Sequence, residues 1–177
     1  MSDGALDTTR LRARLLEVLQ LKEVARAGWV RAGVDAPESV AAHSWGVAWL
    51  VLALCPPEVD RGRALAIAVL HDLAEVRVGD LTPSDGVAKA DKARMEAEAM
   101  SGLLAGLSGA REFEALWREY EDLSTPEGRL VKACDKLDMA LQAARYEATQ
   151  GLELSEFVAS ALAKLEDDPQ LRALING

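Results

Sequence analysis

Apolar residues recur at three- and four-residue spacing along almost the whole chain, and this periodicity predicts a succession of amphipathic helices. Leu11, Leu15, Val18 and Leu19 share one stripe, so a first helix is expected from a Thr8–Thr9 cap to about Ala27. Pro37 and Glu38 suit the first turn of a second helix, which carries His43 and continues to Leu54. A third, rich in Ala, Leu, Ile and Val, is expected from Arg61 to about Glu75. The stretch from Gly79 to Gly86 concentrates Gly, Pro and Asp and reads as a loop. Helices are then expected from about Ala88 to Leu107 and from Ala110 to Leu123. Thr125, Pro126 and Glu127 supply the cap, the N1 proline and the first-turn acid of a further helix. That helix holds Asp135 and runs to about Gln150, where Gly151 ends it. Ser155 to Glu166 forms one more, before a short tail. No run alternates long enough for a strand, and no repeat or low-complexity tract interrupts the pattern. The expected fold is all-α, a single compact domain over residues 1–177.

Composition narrows the setting. Half of the 177 residues are apolar, enough for a proper core. Cys55 and Cys134 lie in an apolar run and a helical stripe, and read as reduced core thiols of a cytoplasmic protein. The first residues have neither a basic segment nor an apolar one, so no signal peptide is expected. The longest apolar stretch, Val47 to Cys55, stops at Pro56–Pro57, about half a membrane span; no membrane association is expected. The net charge of −9 argues against a nucleic-acid partner, which would demand a basic surface. A small anion is still compatible if a metal and a few local cations attract it.

The chain has only two histidines. His43 stands on the second helix, His71 opens His71-Asp72-Leu-Ala-Glu75, and Asp135 lies in Lys132-Ala-Cys-Asp-Lys136. Two imidazoles and two carboxylates from three helices suit one divalent ion of the Mn, Fe, Co, Ni, Zn or Mg kind, with positions left for water and substrate. Glu75 falls one turn from His71, where it can take a proton from metal-bound water. Taken singly, each residue has a plainer reading. His43 and His71 suit packed core positions, Glu75 a surface acid, and Asp135 a helix-face partner of Lys132 or Lys136. Trp29 is either a core anchor or an aromatic wall for a base or sugar, with Arg26 supplying charge for a phosphate. Lys89, Lys92 and Arg94, interleaved with Glu96 and Glu98, read as a solvated face.

Several motifs together resemble the HD-domain phosphohydrolases, and within them the 5′-deoxynucleotidases. They are Arg26-x-Gly-Trp29-Val30, Pro37-Glu-Ser-Val-x-x-His43, Val69-Leu-His-Asp-Leu-Ala-Glu75 and Val78-Gly-Asp80-Leu-Thr-Pro83. Three more follow: Trp117-x-Glu-Tyr-Glu121, Val131-Lys-x-x-Asp135 and Leu141-Gln-Ala-x-x-Tyr-Glu147. The resemblance covers roughly residues 20 to 150. It implies metal ligands at His43, His71, Asp72 and Asp135, and chemistry at Glu75 and Asp80. It also implies a nucleoside-facing wall from Asp80 and from Pro83, Ser84, Asp85 and Gly86, with Arg26 and Trp29 as further substrate contacts. In some relatives the arginine that orients the phosphate directly precedes the tryptophan; here Gly28 holds that place and Arg26 lies two positions earlier. The implied reaction converts a 2′-deoxyribonucleoside 5′-monophosphate to deoxynucleoside and phosphate, and the implied assembly is a homodimer. Another small phosphate ester, a nucleoside triphosphate, or a non-catalytic sensor role for the same site are the alternatives.

Overall fold

The fold follows from a computed structural model that describes residues 7–176. Ten α-helices are present among them: α1 (Thr8–Leu19), α2 (Ala27–Arg31), α3 (Val40–Leu54), α4 (Arg61–Leu70), α5 (Glu75–Val78), α6 (Lys89–Leu104), α7 (Ala110–Asp122), α8 (Pro126–Gln150), α9 (Ser155–Lys164) and α10 (Pro169–Asn176). Short 3₁₀ turns occupy Gln20–Lys22 and Pro83–Asp85. Among the described residues, β structure is confined to one isolated antiparallel bridge between Ala25 and Ser39. The all-α expectation holds.

The long α8 is the hub, packed against α3, α4, α7 and α9. Val131 and Cys134 of α8 meet Val47 and Val51 of α3, Ala64, Ile67 and Ala68 of α4, and Leu116 and Tyr120 of α7. Each of these side chains is almost wholly removed from water, and a buried aliphatic side chain contributes roughly 1.5–3 kcal/mol. Two further clusters flank this core. Met100 and Leu103 of α6 pack with Trp117 on one side, and Trp29, Ala143, Tyr146 and Leu154 pack together on the other. Both cysteines are free, and burial pushes the Cys134 thiol up to about 12. Among the described residues, no helix is long and apolar enough to cross a membrane.

Several boundaries depart from the periodicity. The cap of α1 is Asp7, whose carboxylate accepts from Arg10 N at 2.9 Å, and the helix stops at Leu19 instead of Ala27. Arg26 N donates to Glu38 O and Val40 N to Val24 O, so the chain there is held extended across from the α3 entry. Leu11, Leu15 and Leu19 remain exposed, and of the expected stripe Val18 packs inward. The second helix begins at Val40 under a Ser39 cap, leaving Pro37 and Glu38 outside it. The third ends at Leu70; His71 to Ala74 wind more tightly, with Leu73 N bonded to Leu70 O and Glu75 N to Asp72 O. The tail forms α10, started by Pro169 and capped by Asp168, which accepts from Leu171 N at 2.9 Å. By contrast, Thr125, Pro126 and Gly151 bound α8 as their chemistry requires; Gly151 takes φ of 69°.

Candidate active site

The site gathers around the middle of α8, where Asp135 and Asp138 lie. The Ser39 cap fixes the start of α3 and places His43 in its second turn, fully buried. The tight turn after α4 supplies His71 and Asp72, and its near-threefold winding turns Asp72 and Glu75 to the same side. Asp135 and Asp138, three apart on α8, share the face turned toward His43.

His43 Nε2 lies 3.6 Å from Asp72 Oδ2 and 3.4 Å from Asp135 Oδ1, and His71 Nε2 lies 3.2 Å from Asp72 Oδ2. One ligand atom from each of His43, His71 and Asp72 falls within 4.8 Å of the others, and Asp135 adjoins them through His43. Both rings are held from behind. His43 Nδ1 is 2.7 Å from Asp138 Oδ2, and His71 Nδ1 is 2.7 Å from the Ala68 carbonyl oxygen. Each Nδ1 therefore carries the proton in the neutral ring, and each Nε2 lone pair points into the cluster. Both Nε2 atoms are buried without a hydrogen-bond partner, as is Glu75 Oε2. Orphaned buried acceptors are costly, and a cation between the imidazoles and carboxylates removes that cost. The donor set fits a divalent ion. A second grouping, Glu38, His43 and Asp138, uses the Nδ1 side that Asp138 already fills.

Electrostatics separate the carboxylates. Burial pushes Asp72 up, but His71, His43 and Arg26 outweigh it and hold the group well below the usual carboxylate range. Asp135 behaves likewise, burial being overcome chiefly by Lys136 and His43. Glu75 goes the other way, raised to about 10 by burial and by the charges of Asp72 and Asp80. Burial and Arg26 depress His43, yet the facing carboxylates of Asp135, Asp138 and Asp72 raise it to about 9. Acidic groups held ionised beside one held protonated are the arrangement that proton-transfer sites use.

Through Asp72 and Asp135 the cluster borders a cavity of about 520 Å³. Arg26, Trp29, Asp80, Pro83 and Ser84 line it, together with Asp72, Glu75 and Asp135. Arg26 Nη1 stands 3.7 Å from both Asp72 and Asp80, and Asp80 Oδ2 accepts from Ala27 N at 2.8 Å. Trp29 is chiefly a core anchor: it is buried, tilted against Phe157, edge-on to Tyr146, and its indole donates to Glu38 at 3.0 Å. Asp85 and Gly86, expected on the nucleoside wall, are not among the lining residues. The Asp85 carboxylate turns back to accept from Thr82 N and Thr82 Oγ1, and Gly86 serves the turn with φ of 70°.

The amino-acid pattern of the HD domain family matches residues 18–172. The chain belongs to the HD-domain family. Curated relatives over most of its length carry the name 5′-deoxynucleotidase. The zebrafish (Danio rerio) 5′-deoxynucleotidase HDDC2 is 41% identical, covering 88% of this chain and 80% of that protein. The Schizosaccharomyces pombe 5′-deoxynucleotidase hdd1 is 38% identical, covering 89% and 82%. Among solved structures, a conserved protein of Pyrococcus furiosus superposes with a TM-score of 0.80 at 38% identity, over 93% of this chain and 96% of that one. A predicted metal-dependent phosphohydrolase of Magnetospirillum magnetotacticum gives 0.75 at 26% identity, over 95% and 90%.

Within this HD domain, some site-forming residues escaped the motif reading. Asp138 is legible only as the i+3 neighbour of Asp135. Tyr120, inside a motif already noted, donates to Asp135 Oδ2 at 2.8 Å and sets its ring 5.1 Å from that of His71. The α9 wall, with Phe157, Ser160 and Lys164, has no local signature; only tertiary packing brings it to the cavity.

Proposed function

We propose that this HD-domain protein is a metal-dependent phosphomonoesterase, a 5′-deoxynucleotidase that releases phosphate from 2′-deoxyribonucleoside 5′-monophosphates. The observation that carries the reading is the pair of buried, partnerless Nε2 atoms of His43 and His71 facing Asp72 and Asp135. These four residues would hold one divalent ion, which when bound supplies Lewis acidity and a more acidic water. The curated 5′-deoxynucleotidases at 38–41% identity support the substrate class.

The chain's own groups have separable tasks. Asp138 and the Ala68 carbonyl hold the two imidazoles by their Nδ1 atoms and keep each Nε2 aimed at the cluster. Glu75, buried with one oxygen free and its proton held tightly, is placed to exchange a proton with the attacking water. Arg26 stands between Asp72 and Asp80, and Asp80 is tied to the start of α2 through the Ala27 N–H. Asp80, Pro83 and Ser84 would crowd the sugar, so that a 2′-hydroxyl fits poorly. The whole chain acts as one HD domain, and its free thiols suit a reducing compartment such as the cytoplasm.

The protein works as a homodimer in this proposal. Trp45 and Trp49, one turn apart on α3, are 71% and 56% exposed, and Leu52 continues the stripe. Large aromatics so exposed are what an interface core uses.

The experiment is a matrix of metal against nucleotide: stripped protein, refilled with each divalent ion, assayed for phosphate release from deoxy- and ribonucleoside monophosphates. Metal-dependent release with higher kcat/KM for the deoxy series is expected. Equal kcat/KM for both sugars would refute the deoxy preference, and no release with any ion would refute the phosphatase reading.

A further inference from the structure

Six of the 20 basic residues of this acidic chain line this cavity: Arg26, Arg31, Lys92, Lys132, Lys136 and Lys164. Three of them are engaged on its rim or wall. Arg26 divides its charge between Asp72 and Asp80, Arg31 donates to Thr82 Oγ1 at 2.7 Å, and Lys92 donates to the Leu81 carbonyl at 2.9 Å while facing Glu96. Position 28, beside Trp29, is glycine, and the Phe157 ring lies 3.1 Å from where its Cβ would stand. The α2 segment thus brings no cation nearer to the cluster than Arg26.

Lys132 and Lys136 stand differently. Their ammonium groups approach a single atom, Asp135 Oδ2, at 3.6 and 3.1 Å. The other oxygen of the same carboxylate faces His43 Nε2 at 3.4 Å. The two lysines therefore sit across one carboxylate from the imidazole cluster, on the cavity side. An ammonium has three donors. Lys132 gives one to Tyr120 Oη at 2.8 Å, and the remainder of both groups can turn to a ligand. Both side chains keep partial exposure, 40% and 23%, so they retain access to the cavity.

We propose that Lys132 and Lys136 form the clamp for the phosphate group and are the residues that select a terminal phosphate monoester. This rests on the phosphohydrolase reading above and names the cations that reading leaves unassigned. A phosphate oxygen directed at the His43–His71–Asp72 cluster brings its neighbours within reach of both ammonium groups. Two point charges on a helix suit a dianionic monoester, and an uncharged nucleoside gains nothing from them.

The test uses the two reaction products as probes, since neither turns over. Inorganic phosphate and 2′-deoxyadenosine are titrated separately by calorimetry into manganese-loaded wild type, Lys132→Met, Lys136→Met and Lys136→Arg, and manganese content is measured for each. Phosphate affinity should fall roughly 10- to 100-fold in each methionine variant, the usual worth of a hydrogen bond to a charged group. Deoxyadenosine affinity and manganese content should not move, and Lys136→Arg should keep most of the phosphate affinity. Unchanged phosphate affinity in both methionine variants overturns the clamp. So does loss of manganese together with phosphate, because the lysines would then be props for Asp135. If wild type releases no phosphate from any nucleotide, the nucleotidase reading fails by itself, and the phosphate affinities still decide the lysines.

Discussion

Replacing Gly46 by alanine should weaken metal binding, although the substitution touches no ligand and favours the helix. Gly46 lies in α3 one turn after His43, and a Cβ built there would stand 2.1 Å from Asp138 Oδ1 and 3.0 Å from its Cγ. Contact distances between carbon and oxygen require the carboxylate to retreat by about 1 Å. Asp138 Oδ2 is 2.7 Å from His43 Nδ1, so such a retreat takes the pair out of hydrogen-bonding range. The imidazole then loses what fixes its tautomer and orientation. Loss of a partner behind a metal-bound histidine typically costs about 10- to 100-fold in metal affinity. For the metal-free fold, two terms oppose. Alanine in a helix interior is worth about 0.5–1 kcal/mol over glycine, whereas a stranded buried imidazole N–H costs about 1–3 kcal/mol. The net is a modest loss of stability.

Metal affinity is measured by competition against a chelating dye for wild type, Gly46→Ala, Asp138→Ala and the double variant. The mechanism requires strong coupling: with Asp138 already truncated, Gly46→Ala should cost nothing further and should recover the helix-propensity gain in melting temperature. Wild-type affinity in Gly46→Ala, or an undiminished cost in the Asp138→Ala background, would show that the close approach of α3 and α8 does not act through His43.

Other outcomes follow from the same geometry. His71→Ala or Asp72→Ala should remove metal and phosphate release together, read by elemental analysis and activity on one preparation. Glu75→Gln should keep the ion and lose about 10²–10⁴-fold in kcat, the usual worth of a positioned proton-transfer group; near-wild-type turnover would make Glu75 merely structural. In metal-free protein His43, raised from 6.5 to about 9, contributes stability that is full below pH 6.5 and lost as pH rises through 9. An entering ion must displace that proton, so metal affinity and the melting-temperature gain from metal should both climb between pH 6 and 9; a flat profile would refute the assignment. Trp49→Lys should convert the proposed dimer to monomer in sedimentation, with the far-ultraviolet spectrum unchanged.

The parts of this protein legible in its sequence are those governed by local chemistry. Thr125, Pro126 and Gly151 fix both ends of α8, because cap, N1 proline and left-handed glycine act within a few residues. Scarcity did the same for the site: with only two histidines, both fall in the cluster. What stayed hidden depends on partners distant in sequence. The run beyond Leu19 has helical periodicity, but Arg26 N donates to Glu38 O and Val40 N to Val24 O across the α3 entry, which stretches the chain. The break after Leu70 is invisible in a sequence of good helix formers. Leu11, Leu15 and Leu19 mimic a core stripe while facing out, since periodicity reports an apolar face and not what covers it. Asp138 shows only as the i+3 neighbour of Asp135, and the α9 wall reaches the site by packing alone.

A net charge of −9 and a phosphate substrate are reconciled by distance. At physiological ionic strength the field of an exposed charge is largely screened beyond about 8 Å, so the acidic surface scarcely reaches a ligand seated in the cavity. There the balance is set locally. Asp72, Asp80 and Asp135 face Arg26, Lys132 and Lys136 at 3.1–3.7 Å, nearly charge for charge. Glu75 and His43 hold protons in the metal-free state, which limits the negative charge that remains. A divalent ion entering beside His43 displaces a proton and leaves an excess of positive charge at the cluster. One small phosphate dianion neutralises that excess. A polyanion would have to lay its remaining charges on the acidic surface beyond the cavity, where the net charge of −9 opposes them.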